Sequence, residues 1–227
     1  MCGIVGIYLK TKKFEKNLGK MLSGMLNNME SRGPDSAGFA IYKNEGNKEY
    51  KFSMCINNLK FNIFKKELSK KIKKIKLNQI SDHVILKTEE KPKKVIEIIN
   101  SNFPEVSIVG YGKSIEIFKQ VGNPKDVVKK FKLADFTGTH GIGHTRMATE
   151  SAITTDGSHP YSTGEDECLV HNGSLSNHNN LRRELTKKGN VFNSENDTEV
   201  AAGYISHSLS NKKSLKDTLT SGLKDLD

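Results

Sequence analysis

The first 42 residues change their apolar period twice, and that alternation confines the chain to a fold mixing sheet with helix. Residues 3–9 form a short apolar, β-branched run, the composition of a buried strand. Leu18, Met21, Leu22, Met25, Leu26 and Met29 follow at spacings of 3, 1, 3, 1 and 3, which puts them on one face of a helix. Flexible methionine on such a face is ordinary core filler. The turn formers of "SRGPDSAG" end the helix, and "GFAIY" reads as the next strand. The opening is therefore strand, helix, turn, strand.

A middle segment repeats the mixture in its own way. "HVILKTE" reads as a strand, "KPKKVIEIINSNF" as a helix, "VSIVGYGKSIEIFKQVG" as a strand or hairpin, and "PKDVVKKFKL" as a helix starting near Pro124. These predict a small α+β subdomain, roughly residues 53–136, inserted into a larger fold. Beyond it, "ECLVH" is strand-like and "NHNNLRRELTKKG" is a helix ended by Gly189. At 227 residues the chain can bury one sizeable core with an elaboration. The sequence has no run of 18 apolar residues, and its N-terminus turns polar too soon for a secretory signal. Three cysteines without a C-x-x-C pair speak against a disulfide framework or a zinc cluster. A reducing cytoplasm is the expected location, where a free thiolate survives.

The net charge of +10 raises the question of nucleic acid. Residues 43–132 hold 21 of the 36 basic and 10 of the 26 acidic side chains, so the whole excess sits in the middle segment. Its densest run, "KKELSKKIKKIK" from Lys65 to Lys76, places Leu68, Ile72 and Ile75 at helical intervals among lysines, an amphipathic surface helix. It lacks the arginine and aromatic platforms on which single strands stack, so a solvated face or a docking face for an acidic partner is the better reading.

The chemistry concentrates elsewhere. An enzyme that cuts the side-chain amide of glutamine with a cysteine needs a cation for the carboxylate, an acid for the ammonium and oxyanion donors beside the thiol. Cys2, Arg146 in "GHTRMAT", Asp197 in "ENDTEV", and Asn172 with Gly173 in "HNG" offer one candidate for each role. Several neighbours take plainer readings. His140 and His144 have the i, i+4 spacing of a helical zinc site, but the glycines between them read as loop and strand, so no metal site is expected. Cys55 and Cys168 read as packed thiols, and Ser36 and Ser174 have no triad around them.

Taken in order, "MCGIVGIY", "SRGPDSAG", "GHTRMATES", "SHPYS", "LVHNGSLSNHNNLRREL" and "ENDTEV" resemble the glutaminase domain of class II glutamine amidotransferases, over residues 1–42 and 137–206. The "HTRMATES" form with the middle insertion is most similar to stand-alone amidotransferase subunits related to glutamate synthase and N-methylglutamate synthase. The resemblance implies an αββα sandwich of the N-terminal-nucleophile type, with Cys2 as nucleophile and Asn172 and Gly173 as oxyanion donors. It further implies glutamine held by Arg146, Thr149 and Asp197, and a turn of Arg32, Gly33 and Asp35 shaping the neighbourhood of Cys2. Removal of Met1, which the small Cys2 side chain allows, would expose an α-amino group of pKa about 7.7 to 8.0 as general base. No cofactor is called for on this chain. The implied partners are L-glutamine and a separate synthase subunit that consumes the ammonia and would carry any flavin.

Two departures from the family pattern matter. Met147 and Glu150 stand where many relatives have an aromatic residue and a histidine, so closure over the substrate is expected to differ. Relatives also continue with further strands of the second sheet where this sequence reads "SGLKDLD", so either a fragment or a sheet completed by a partner is expected. The rival readings are a hydrolase of another amide, a glutamine-binding or regulatory module without turnover, and an RNA-binding protein working through residues 65–76.

Overall fold

A computed structural model describes residues 2–43, 46, 48–148 and 152–227. The opening unit forms as its pattern requires: β1 (Gly3–Tyr8), α1 (Leu18–Asn28) and β2 (Ser36–Tyr42). Yet β1 and β2 are not neighbours. β8 (His140–Arg146) lies between them, and β7 (Ile115–Val121) flanks β2, giving an antiparallel sheet in the order β1-β8-β2-β7.

The two faces of β2 show how the layers stack. Ala37, Phe39 and Ile41 join the core beneath α1, where Leu18, Leu22 and Leu26 are fully or almost fully buried. Burying side chains of this size contributes roughly 1.5 to 3 kcal/mol each. The helix comes close because β8 offers glycines: a Cβ on Gly141 or Gly143 would stand about 3 Å from Leu22 or Leu26. Alternate residues Gly38, Ala40 and Tyr42 face the other way. On that side lies a two-stranded sheet of β9 (Tyr161–Gly164) and β10 (Glu167–Leu169), covered by α6 (Asp197–Ser210), which packs against α5 (His178–Lys187) and α7 (Leu215–Asp225). With α4 (Pro124–Lys130) beside α1, the result is helix, sheet, sheet, helix, as the resemblance implies.

The lysine-rich middle has its own sheet, order β4-β5-β3-β6, built from β3 (Tyr50–Cys55), β4 (Lys76–Ile80), β5 (His83–Thr88) and β6 (Ser107–Gly112). α2 (Phe61–Lys71) and α3 (Pro92–Asn102) bury Phe64, Leu68, Val95 and Ile99 against it. The helix expected up to Lys76 stops at Lys71. Ile72 turns extended, at φ −122° and ψ 123°, and stays in the core, while Lys74 at φ 53° helps turn the chain towards β4. β7 and α4, though inside residues 53–136, pack with the first sheet and α1, and the segment expected as a strand or hairpin forms β6 and β7 in two different sheets. Among the described residues, no helix is long and apolar enough to cross a membrane.

Candidate active site

Strand register brings the distant motifs to one end of the first sheet. Gly3 pairs with Thr145, so Cys2 precedes β1 opposite Arg146; Ser36 pairs with Arg146 from the other side, which sets Asp35 beside the chain leaving β8. The turn before β2 is pressed against that strand, because a Cβ on Gly33 would lie 2.5 Å from the Thr145 backbone. The Asp35 amide donates to the Arg146 carbonyl at 3.1 Å, and the Asp35 carboxylate accepts from Ala148 N–H at 2.8 Å. Asp35 thus fixes the backbone around Met147, whose N–H points at Cys2 Sγ at 3.4 Å. Arg32 ends the short helical turn before Gly33 with its side chain exposed.

The opposite wall comes from the segment after β10 and from the start of α6. Asn172 Nδ2 donates to the Cys2 carbonyl at 3.0 Å. Gly173 lines the same pocket; a Cβ there would stand 2.6 Å from His171 Nε2. Asp197 begins α6, where negative charge suits the helix N-terminus. Its carboxylate accepts from Leu175 N–H at 2.8 Å and from Thr198 Oγ1 at 3.2 Å. Asn196 caps the helix, accepting from Thr198 N–H at 2.8 Å, and donates through Nδ2 to the Gly157 carbonyl at 3.3 Å. Arg146 is 5% exposed and donates from Nη1 to the Ala152 carbonyl at 3.3 Å. Cys2, Arg146, Gly173 and Asp197 all line one pocket of about 110 Å³. Thr149 and Glu150 lie outside the described residues.

Two buried histidines lie beside the pocket, and one of them, His159, lines it. The rings of His144 and His159 stack with centroids 3.9 Å apart, and His144 Nε2 donates to the His171 carbonyl at 2.9 Å. Burial drives His144 down to about 4 and His159 well below the usual histidine range. Both rings are neutral in the folded protein at neutral pH, whereas in the unfolded chain they take up protons near pH 6.5. Stability is therefore full above pH 6.5 and falls with pH below it, as protons favour the unfolded state. For His144 alone the loss between pH 6.5 and 4.5 should be about 2 kcal/mol. Urea unfolding across this range should show it, with a shallower pH dependence in His159→Phe; a flat profile in the unsubstituted chain would refute the neutral stack.

Asn196 and His159 are among the pocket residues given no role from sequence. Asn196 did carry a signal, since Asn-Asp-Thr-Glu has the pattern of a helix start with its cap. The structure also brings together Cys55, Asp82 and His83, with ligand atoms within 4.8 Å of one another. A basic side chain already answers that charge: Lys130 Nζ sits 3.2 Å from Asp82, and Gln120 donates to the same oxygen at 2.8 Å. Burial opposes ionisation of Asp82, yet the bonds from His83 and Lys130 prevail and hold it at about 2, while burial raises the Cys55 thiol.

A family model described as a glutamine amidotransferase domain matches residues 134–209. The glutamine amidotransferase-like protein GlxB of Rhizobium meliloti (strain 1021) is 47% identical over 230 residues, which cover all of this chain and 76% of that protein. The glutamine–fructose-6-phosphate aminotransferase of Methanococcus maripaludis is 40% identical over 103 residues, covering 45% of this chain and 17% of that enzyme. Among solved structures, the glutamine phosphoribosylpyrophosphate amidotransferase of B. subtilis matches with a TM-score of 0.50 at 19% identity, over all of this chain and 32% of that one, a likeness of fold.

Proposed function

The chain belongs to the class II glutamine amidotransferase family, and from that membership we propose that it hydrolyses L-glutamine to glutamate and ammonia through a γ-glutamyl thioester on Cys2. The observation that carries the reading is the convergence of Cys2, Arg146, Gly173 and Asp197 on one small pocket, with Asn172 tied to the Cys2 backbone.

In this mechanism Met1 is removed and the α-amino group of Cys2, of pKa about 7.7 to 8.0, takes the thiol proton. The Met147 N–H at 3.4 Å favours the thiolate as it forms. The sulfur attacks the amide carbon, and Asn172 and Gly173 stabilise the oxyanion. The amino group passes its proton to the leaving ammonia; water then attacks the thioester carbonyl and frees glutamate and the thiol. Arg146 takes the α-carboxylate as a forked pair, and Asp197 takes the α-ammonium. Holding both ends of the amino acid fixes the amide over the sulfur, an orientational gain that raises the rate. The consumer of the ammonia is proposed to be a separate synthase subunit of the glutamate synthase or N-methylglutamate synthase type.

The test is intact mass together with product analysis. A chain lacking Met1 that releases ammonia and glutamate in equal amounts from glutamine, and fails on analogues without the α-carboxylate or α-amino group, supports the reading. A folded, trimmed chain that binds glutamine without releasing ammonia refutes it and leaves a binding module.

A further inference from the structure

We propose that Lys119, a residue of the first sheet outside the glutamine pocket, is a positioning residue for glutamine recognition, because its buried ammonium pins residues 152–160, which touch both Arg146 and the cap of α6. The proposal rests on the glutamine-binding reading above.

Lys119 follows Ile115 and Ile117 on the inward face of β7 and pairs with Gly38 of β2. It is 4% exposed. Its Nζ donates to the carbonyls of Ser158 at 2.8 Å and Asp156 at 3.0 Å, and lies 4.4 Å from the centre of the Tyr161 ring. Burying an ammonium is costly unless its protons are satisfied, and here two loop carbonyls and an aromatic face satisfy them. Burial lowers Lys119 to about 8, opposed by the nearby charges of Asp156 and Glu199, so the group remains charged at neutral pH. A neutral aliphatic side chain would fill the same space but gather neither carbonyl.

Residues 152–160 make further contacts around the site. The Ala152 carbonyl accepts from Arg146, and the Gly157 carbonyl accepts from Asn196, the cap of the helix that begins with Asp197. The His159 ring lines the pocket, and the His159 carbonyl rests on β2 where a Cβ on Gly38 would be 2.1 Å away. The loop therefore spans the side chains assigned to the two ends of the substrate, and Lys119 anchors its middle from the sheet. Losing the anchor should loosen the relation between Arg146 and Asp197 and leave Cys2 and Asn172, which are held by other contacts, as they are.

Calorimetry with L-glutamine in a Cys2→Ala background, where turnover cannot interfere, reads this directly. Adding Lys119→Met should raise the dissociation constant about tenfold. In the Cys2-containing protein the same substitution should leave the rate of Cys2 alkylation by iodoacetamide, read by peptide mass, within about twofold, since that reagent uses neither end of the amino acid. If Lys119→Met does not fold, Lys119→Gln, which keeps one donor on a shorter stem, takes its place. Unchanged glutamine affinity in a folded variant overturns the proposal, as does alkylation slowed in proportion to affinity, which would mark a general collapse of the site. If the Cys2→Ala chain with Lys119 intact binds no glutamine, the glutamine reading itself fails, and this proposal with it.

Discussion

Cys2→Ala should abolish glutamine-dependent ammonia release, a fall of at least about 10⁴-fold, with glutamine binding retained. The size of the effect follows from the lack of a substitute. Of the three cysteines, Cys2 alone lines the pocket. Cys168 stands against Tyr42 at 3.4 Å, and burial raises its thiol to about 11; Cys55 is buried in the middle segment and its thiol is raised too. Neither supplies a thiolate at neutral pH or reaches the Arg146 and Asp197 end of the pocket. The mutated side chain is small and half-buried, and the neighbouring carbonyl keeps its bond from Asn172, so the fold should tolerate the change. Ammonia release from purified Cys2→Ala above about one per cent of the parent rate would sink the assignment of Cys2 as nucleophile.

Much of this arrangement was readable from local pattern. The helical spacing from Leu18 to Met29, the strands on either side and the helix ending near Gly189 depend on side chains a few residues apart, and each formed. What local pattern does not carry is which strand lies beside which. β8 enters between β1 and β2 from about 100 residues away, and β7 leaves the lysine-rich segment to extend the same sheet. Those pairings depend on the fit of whole faces, such as the glycines of β8 beneath α1, and not on any short window. Lys119 is the instructive case. It was not singled out among the lysines of the basic segment, yet its alternation with Ile115 and Ile117 places it on a buried face. For the site, the motifs named Cys2, Arg146, Asn172, Gly173 and Asp197 as candidates, while Met147 N–H enters only through the backbone path that Asp35 fixes.

Asn172→Ala should lower kcat roughly a hundredfold or more while raising the KM for glutamine only slightly, because an oxyanion donor contributes about 3 to 4 kcal/mol that appears only in the transition state. The side-chain amide has two N–H bonds. One is committed to the Cys2 carbonyl at 3.0 Å, which leaves the other for the oxygen that gains charge as sulfur attacks. Alanine removes both, so part of the loss comes from freeing Cys2 itself. Asn172→Asp tests the electrostatic side: it keeps the size of the side chain, loses both donors and adds a negative charge beside the oxyanion, so its kcat should fall at least as far as in the alanine variant. In the proposed binding mode Arg146 and Asp197 are untouched in either variant, so KM should stay within a few-fold. Steady-state kinetics on the two variants decides the matter. A kcat loss below about fivefold, or a loss expressed mainly in KM, would remove Asn172 from the oxyanion site and leave it as a tether for the Cys2 backbone.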